Sequence, residues 1–117
     1  MRVATGTGES VAVFGVGGLG LSAVQLARAL GALDVYAVDL DPGRLELARS
    51  FGAVPIPAAG ADPVARLREL TGGRGVDVAL ELAGLPLTTR QAVRSLAVFG
   101  RAALAGMAEP RADLALR

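Results

Sequence analysis

The sequence contains no cysteine, no histidine and no lysine, and only four aromatic side chains, three Phe and one Tyr. Without thiol or imidazole the chain cannot offer a thiolate nucleophile, an imidazole base, a Ser-His-Asp triad or a zinc site of the Cys/His kind. Disulfides are excluded too, so nothing argues for secretion. Charge of one sign is equally lacking. The 12 basic residues, all arginine, and 11 acidic ones leave a net charge of +1. They are scattered without runs, which leaves no footprint for nucleic acid or for an acidic lipid surface. The one long uncharged stretch, Ser10 to Ala27, covers 18 residues, the lower limit for a spanning helix. Gly15, Gly17, Gly18 and Gly20 interrupt it, and it lacks the basic start and cleavage site of an export signal. A strand and a helix meeting at the glycines account for it better, and the chain reads as a soluble, cytoplasmic protein.

What is present is 117 residues, 52% of them apolar, with 16 glycines. That is enough for one domain with a real core and too little for two. Short apolar runs alternate with helical patterns. Strands are expected at Ser10–Phe14, Asp34–Val38, Ala53–Ile56, Val76–Leu80 and Arg101–Ala105. Helices are expected over Leu19–Leu30, from Pro42 to about Phe51, from Pro63 to the Gly72-Gly73 pair, and over Thr88–Leu96. Asp41-Pro42 and Asp62-Pro63 each combine a capping acid with proline at the first helical position. Gly31 and Gly52 follow helix ends. Strand-helix alternation implies a doubly wound parallel α/β sheet of the Rossmann type in three layers. With right-handed crossovers its strand order is 3-2-1-4-5, and its crevice lies at the carboxyl ends of strands one and four. After Gly106 only 11 residues remain, too few for a further helix-strand unit.

Gly15-Val-Gly17-Gly18-Leu19-Gly20 fits G-x-G-x-x-G, with a strand before it, a helix after it, and Asp39 at the tip of the second strand 19 residues beyond Gly20. Gly15 permits the tight turn off the strand, and Gly17 lets backbone approach a pyrophosphate. Gly20 lets the helix lie close to the sheet, and the helix start faces the phosphates. Asp39 is either an ordinary N-cap or solvated loop acid, or, at the position where a ribose diol would be gripped, the acceptor of two hydroxyl hydrogen bonds from NAD that repels the extra phosphate of NADP. Arg44 can pair with Asp39, touch the ribose, or simply be a solvated helix-surface arginine.

The segments Ser10 to Gln25, Asp39-Leu40-Asp41 with Arg44-Leu45, Gly72 to Gly84, and Leu104-Ala-Gly106-Met107 together resemble the cofactor domain of the zinc-type medium-chain alcohol dehydrogenases, over nearly the whole chain and at family spacing. The glycine turn lacks the Ala/Ser-Ala-Gly-Gly-Val-Gly form of the quinone-reductase branch, which favours the alcohol and polyol side. The resemblance implies NAD as cofactor and an alcohol or carbonyl substrate in the full protein. It puts Leu19 on the nicotinamide side of the pyrophosphate turn, Leu40 and Leu85 beside the adenine with Thr88 nearby, and Leu82, Ala83, Gly106 and Met107 at the nicotinamide end. Leu40 and Leu82 could equally be ordinary core. Glu81, at the end of the fourth strand, reads as a structural hydrogen-bonding group rather than a functional acid.

The family's catalytic zinc ligands, proton relay and most of its substrate pocket belong to a domain not found in these residues. Residues 1–117 therefore read as the NAD-binding domain of a larger dehydrogenase, with no catalytic and no metal-binding residue of their own. The last strand presents an edge able to pair with a second copy. A stand-alone nucleotide-sensing module is the alternative reading. A transferase using an adenosyl cofactor is a third, which Asp39 alone does not exclude.

Overall fold

A computed structural model describes residues 8–104. It is a five-stranded, all-parallel sheet in the order β3-β2-β1-β4-β5. The elements run β1 Ser10–Phe14, α1 Gly18–Ala29, β2 Asp34–Asp39, α2 Pro42–Ser50, β3 Val54–Pro57, α3 Pro63–Leu70, β4 Val76–Glu81, α4 Pro86–Arg94 and β5 Leu96–Ala103. The expected architecture and strand order are therefore observed.

The central strands need no alternation of apolar and polar residues, because both their faces are covered. Val11, Val13, Val35, Ala37 and Val78 pack under α1 and α2 with Val24, Ala27, Leu45 and Ala48. Ala12, Phe14, Tyr36, Val38, Val76 and Ala79 pack under α3 and α4 with Leu67 and Ala92. Small side chains dominate the first of these layers, so the helices lie close to the sheet.

Capping follows the sequence at α2 and α3. Asp41 accepts from the Gly43 amide at 3.0 Å, and Asp62 accepts from the Val64 and Ala65 amides at 3.1 and 3.2 Å. α1 and α4 have no side-chain cap at all, with Gly17 and Leu85 standing at their caps.

The outermost strand departs from expectation. α4 ends at Arg94, not Leu96, and β5 begins at Leu96, five residues before the expected Arg101. The ladder to β4 jumps from Val76↔Leu96 to Val78↔Arg101, so Ala97–Gly100 loop out as a bulge. At its tip Phe99 holds a left-handed φ of 68° and is 94% exposed, with Val98 81% exposed. An apolar tip without pairing partners does not look like strand, which is why the periodicity places the start too late. β5 ends at Ala103, short of the expected Ala105; Ala105, Gly106 and Met107 lie outside the described residues. No helix among the described residues is long and apolar enough to cross a membrane.

Candidate dinucleotide site

β1 and β4 are neighbours whose chains leave in opposite directions, toward β2 and toward β5. A crevice opens at their carboxyl ends, where loops diverge and a ligand can enter. A cavity of about 400 Å³ occupies that place. Gly15 and Gly17 form its floor, Asp39, Leu40 and Arg44 one wall, and Leu82, Ala83, Leu85 and Thr88 the other.

The glycine turn is anchored on both sides. The Gly15 amide donates to the Val38 carbonyl at 2.8 Å, extending the β1–β2 ladder, and the Leu82 amide donates to the Phe14 carbonyl at 2.8 Å. Three glycines then have three different reasons to be there. Gly15 turns with φ +96°, and a Cβ on it would lie 2.9 Å from the Ala83 nitrogen. A Cβ on Gly20 would lie 2.0 Å from the Gly15 carbonyl oxygen, so this glycine lets α1 start directly against the turn rather than merely near the sheet. A Cβ on Gly17 would meet no protein atom within 4 Å. No packing contact among the described residues requires glycine at 17; its bareness keeps the space above the turn clear. Gly18 is likewise open and begins α1.

The first amides of any α-helix lack intrahelical acceptors. At α1 neither a capping side chain nor an acidic residue in the first turn compensates them. These donors, with the helix's partial positive charge, suit an anion.

Asp39 ends β2, and only 7% of its side chain is exposed. One carboxylate oxygen accepts from the Val16 amide at 2.9 Å and the other from the Asp41 amide at 2.9 Å. The N-cap of α2 is the next acid, Asp41, so Asp39 is not the cap. Each oxygen keeps a second lone pair for a hydroxyl donor. Arg44 lies 3.9 Å from Asp39 and 3.6 Å from Asp41 with more than half its side chain exposed, a loose pair worth little by itself.

Leu40 and Leu85 are exposed at the cleft, 64% and 49%, so neither is core. Leu82 is half-buried and packs against the β1 layer while also lining the cleft. Leu19 lies apart from that cavity. It is 66% exposed and lines a second hollow of about 260 Å³ with Leu26, Leu80 and Ala103, joined to the first through Leu82. Val38, Ala58, Leu87 and Gln91 also line the main cleft and were not expected. Leu87 and Gln91 flank Thr88 at helical spacing on α4, a signal that would have found them; Ala58 has none. Glu81 is fully buried behind the β4–α4 turn and makes only hydrogen bonds there.

A groove of about 450 Å³ between α3 and α4 carries Arg68, Arg90 and Arg94. It shares Leu87 and Gln91 with the main cleft but contains no residue of the glycine turn. No three His, Cys, Asp or Glu side chains are grouped to hold a metal among the described residues. The residues described do not fit a zinc centre.

Sheet order, glycine turn and crevice define a Rossmann-like α/β domain. Residues 18–117 match the family model described as zinc-binding dehydrogenase, and the chain belongs to that family. It is 41% identical over 108 residues to the (R,R)-butanediol dehydrogenase of Bacillus subtilis, covering 92% of this chain and 31% of that protein. The alcohol dehydrogenase TADH of Thermus sp. ATN1 superposes with a TM-score of 0.82 at 42% identity, over 84% of this chain and 29% of that one. The benzyl alcohol dehydrogenase of Acinetobacter calcoaceticus gives 0.82 at 38% identity, over 86% and 28%. The chain thus spans about 30% of the length of the relatives it matches.

Proposed function

We propose that this chain binds NAD(H), as the cofactor-holding part of a dehydrogenase that oxidises an alcohol or polyol or reduces the matching carbonyl compound. The observation that carries the reading is the contrast within one turn: Gly15 and Gly20 are forced by packing, whereas Gly17 faces open space at an uncapped helix start beside Asp39. A bare backbone with spare amide donors accepts a diphosphate without needing lysine or metal.

The nicotinamide, when bound, supplies the acceptor or donor for hydride. The chain's own residues do the rest of the holding. The amides at the start of α1 bind the diphosphate. Asp39 accepts the ribose hydroxyls and disfavours an added phosphate, and Arg44 closes that rim. Leu40 and Leu85 present apolar surface to the adenine. Leu82 and Ala83 line the nicotinamide end, with Leu19 next to them. No group of three metal-ligating side chains occurs among the described residues, and the reading assigns substrate binding and the zinc chemistry to other parts of the dehydrogenase. The absence of cysteine suits a reducing, cytoplasmic setting.

Fluorescence titration of the purified chain with NADH tests the reading, with S-adenosylmethionine as the competing ligand. Saturable NADH binding is expected, with no alcohol oxidation whether or not zinc is added. Tight S-adenosylmethionine binding without NADH binding would overturn it.

A further inference from the structure

We infer that Glu81 is a positioning residue for the dinucleotide cleft: it locks the β4–α4 turn against the glycine turn, and so sets the shape of the phosphate cradle without touching the ligand. The inference rests on the cofactor-binding reading above and deepens it.

Glu81 is the last residue of β4 and has no solvent-exposed surface. Burying a carboxylate is costly unless its oxygens are hydrogen-bonded, and here they are, by neutral donors. The Ala83 amide donates at 3.0 Å and the Thr88 hydroxyl at 2.5 Å to one oxygen. The Gly84 amide donates to both, at 3.1 and 2.9 Å. The turn is thereby wound around a single side chain, with Gly84 at φ +76° completing it. Two loop amides and a hydroxyl converge on this one side chain, so the turn is held more firmly than a backbone turn alone.

The turn in turn supports the cradle. Ala83 is the residue a Cβ on Gly15 would strike, and the Gly15 carbonyl is the group a Cβ on Gly20 would strike. Carboxylate, turn, glycine loop and helix start are therefore packed in one series. On the opposite side Asp39 holds the same loop through the Val16 amide. The two acids clamp the loop from both flanks, but Asp39 lines the cavity and Glu81 does not. Any effect of Glu81 on the ligand must pass through the groups it holds, Ala83 and Thr88 in the cavity wall and Gly15 behind Ala83.

Two variants test this in the whole chain. Glu81→Gln keeps the size of the side chain but turns an amide donor toward donors. Thr88→Val removes one partner at constant volume. Ser95→Ala serves as control, because Ser95 is equally buried and bonds the Ala92 carbonyl at the far end of the sheet. For Glu81→Gln we expect NADH affinity to fall by about tenfold or more, the cost of leaving buried donors unpaired. Amide exchange at Ala83 and Gly84 should quicken, and the emission of the saturated NADH complex should change. Thr88→Val should move all three in the same direction by less. Ser95→Ala should lower the melting temperature without moving any of them. Wild-type affinity in Glu81→Gln overturns the inference, and so does an affinity loss that Ser95→Ala reproduces at equal melting temperature. If Glu81→Gln does not fold, Thr88→Val decides, and unchanged affinity and exchange in it overturn the inference. If the unsubstituted chain fails to bind NADH, the dinucleotide reading falls and this inference with it, an outcome distinct from binding that is indifferent to Glu81.

Discussion

The two ends of the sheet use their charged groups in opposite ways. At the carboxyl end, Asp39 and Glu81 accept hydrogen bonds from loop amides, which fixes the turns and leaves the space between them clear. At the amino end the acids meet arginines and tie strands together. Asp77 takes the Ser10 amide at 2.9 Å and Arg74 at 2.6 Å, and Glu9 takes Arg101 at 2.8 Å. One end is preorganised to receive something; the other is closed. Polar groups of the same type thus serve recognition where they hold backbone around a cavity, and stability where they cancel one another.

Substitutions should separate the ends. The largest effect is expected at Gly17. Gly17→Val fills the cleared space, so NADH affinity should drop by more than about a hundredfold while circular dichroism stays unchanged, since no described protein atom lies within 4 Å of the new Cβ. Gly20→Ala sharpens the point, because its Cβ would run into the Gly15 carbonyl and should cost about 1–3 kcal/mol of stability as well as binding. Retained NADH affinity in Gly17→Val would remove the cradle argument.

Asp39→Gly comes next. It should weaken NADH by tenfold or more and NADPH far less, on the order of 1.4 kcal/mol of discrimination. Equal losses for the two cofactors would refute the diol grip.

Asp77→Asn should leave cofactor affinity alone and lower the melting temperature by a few degrees. Partial burial works against the Asp77 charge, but the Arg74 guanidinium and the Ser10 amide and hydroxyl outweigh it and hold its carboxyl below the usual range. A carboxylate with a lowered folded-state pKa adds stability above its unfolded pKa and loses it as pH falls through the folded value. The variant should therefore flatten the acid limb of the stability curve below about pH 4, as thermal melts against pH would show.

The smallest effect belongs to the bulge. Phe99→Gly relieves a left-handed side-chain residue and removes an exposed ring, so it should raise stability by about 1 kcal/mol, or roughly 4 °C in melting temperature, with no change in NADH binding.

Much of this arrangement is legible in the chain alone, for physical reasons that also mark where legibility ends. The β1, β2 and β4 runs declare themselves because a strand buried on both faces is apolar over most of its length, with the acids of β2 and β4 at or near their ends. Asp41-Pro42 and Asp62-Pro63 declare helix starts because capping is local chemistry. The glycine turn and Asp39 stand out by spacing, since the strand-turn-helix-strand unit sets their distance. The approach of Ala83 to Gly15, and the three donors converging on Glu81, depend on how β4 packs beside β1, and no local pattern encodes that. Leu19 is similar: its place on α1 is evident, but its projection into a separate hollow depends on the angle of the helix over β4. The late start assigned to β5 has the same origin, because a register jump is a property of two strands and cannot be seen in one.

That jump also bears on how the rims of the sheet meet other chains. β3 carries Pro55 and Pro57, which have no amide hydrogen to offer an incoming strand. β5 has its donors, but the step at Ala97–Gly100 leaves just Arg101–Ala103 in regular register with its neighbour. Among the described residues, a newcomer would find missing hydrogens on one flank and a broken template on the other, both poor templates for an added strand.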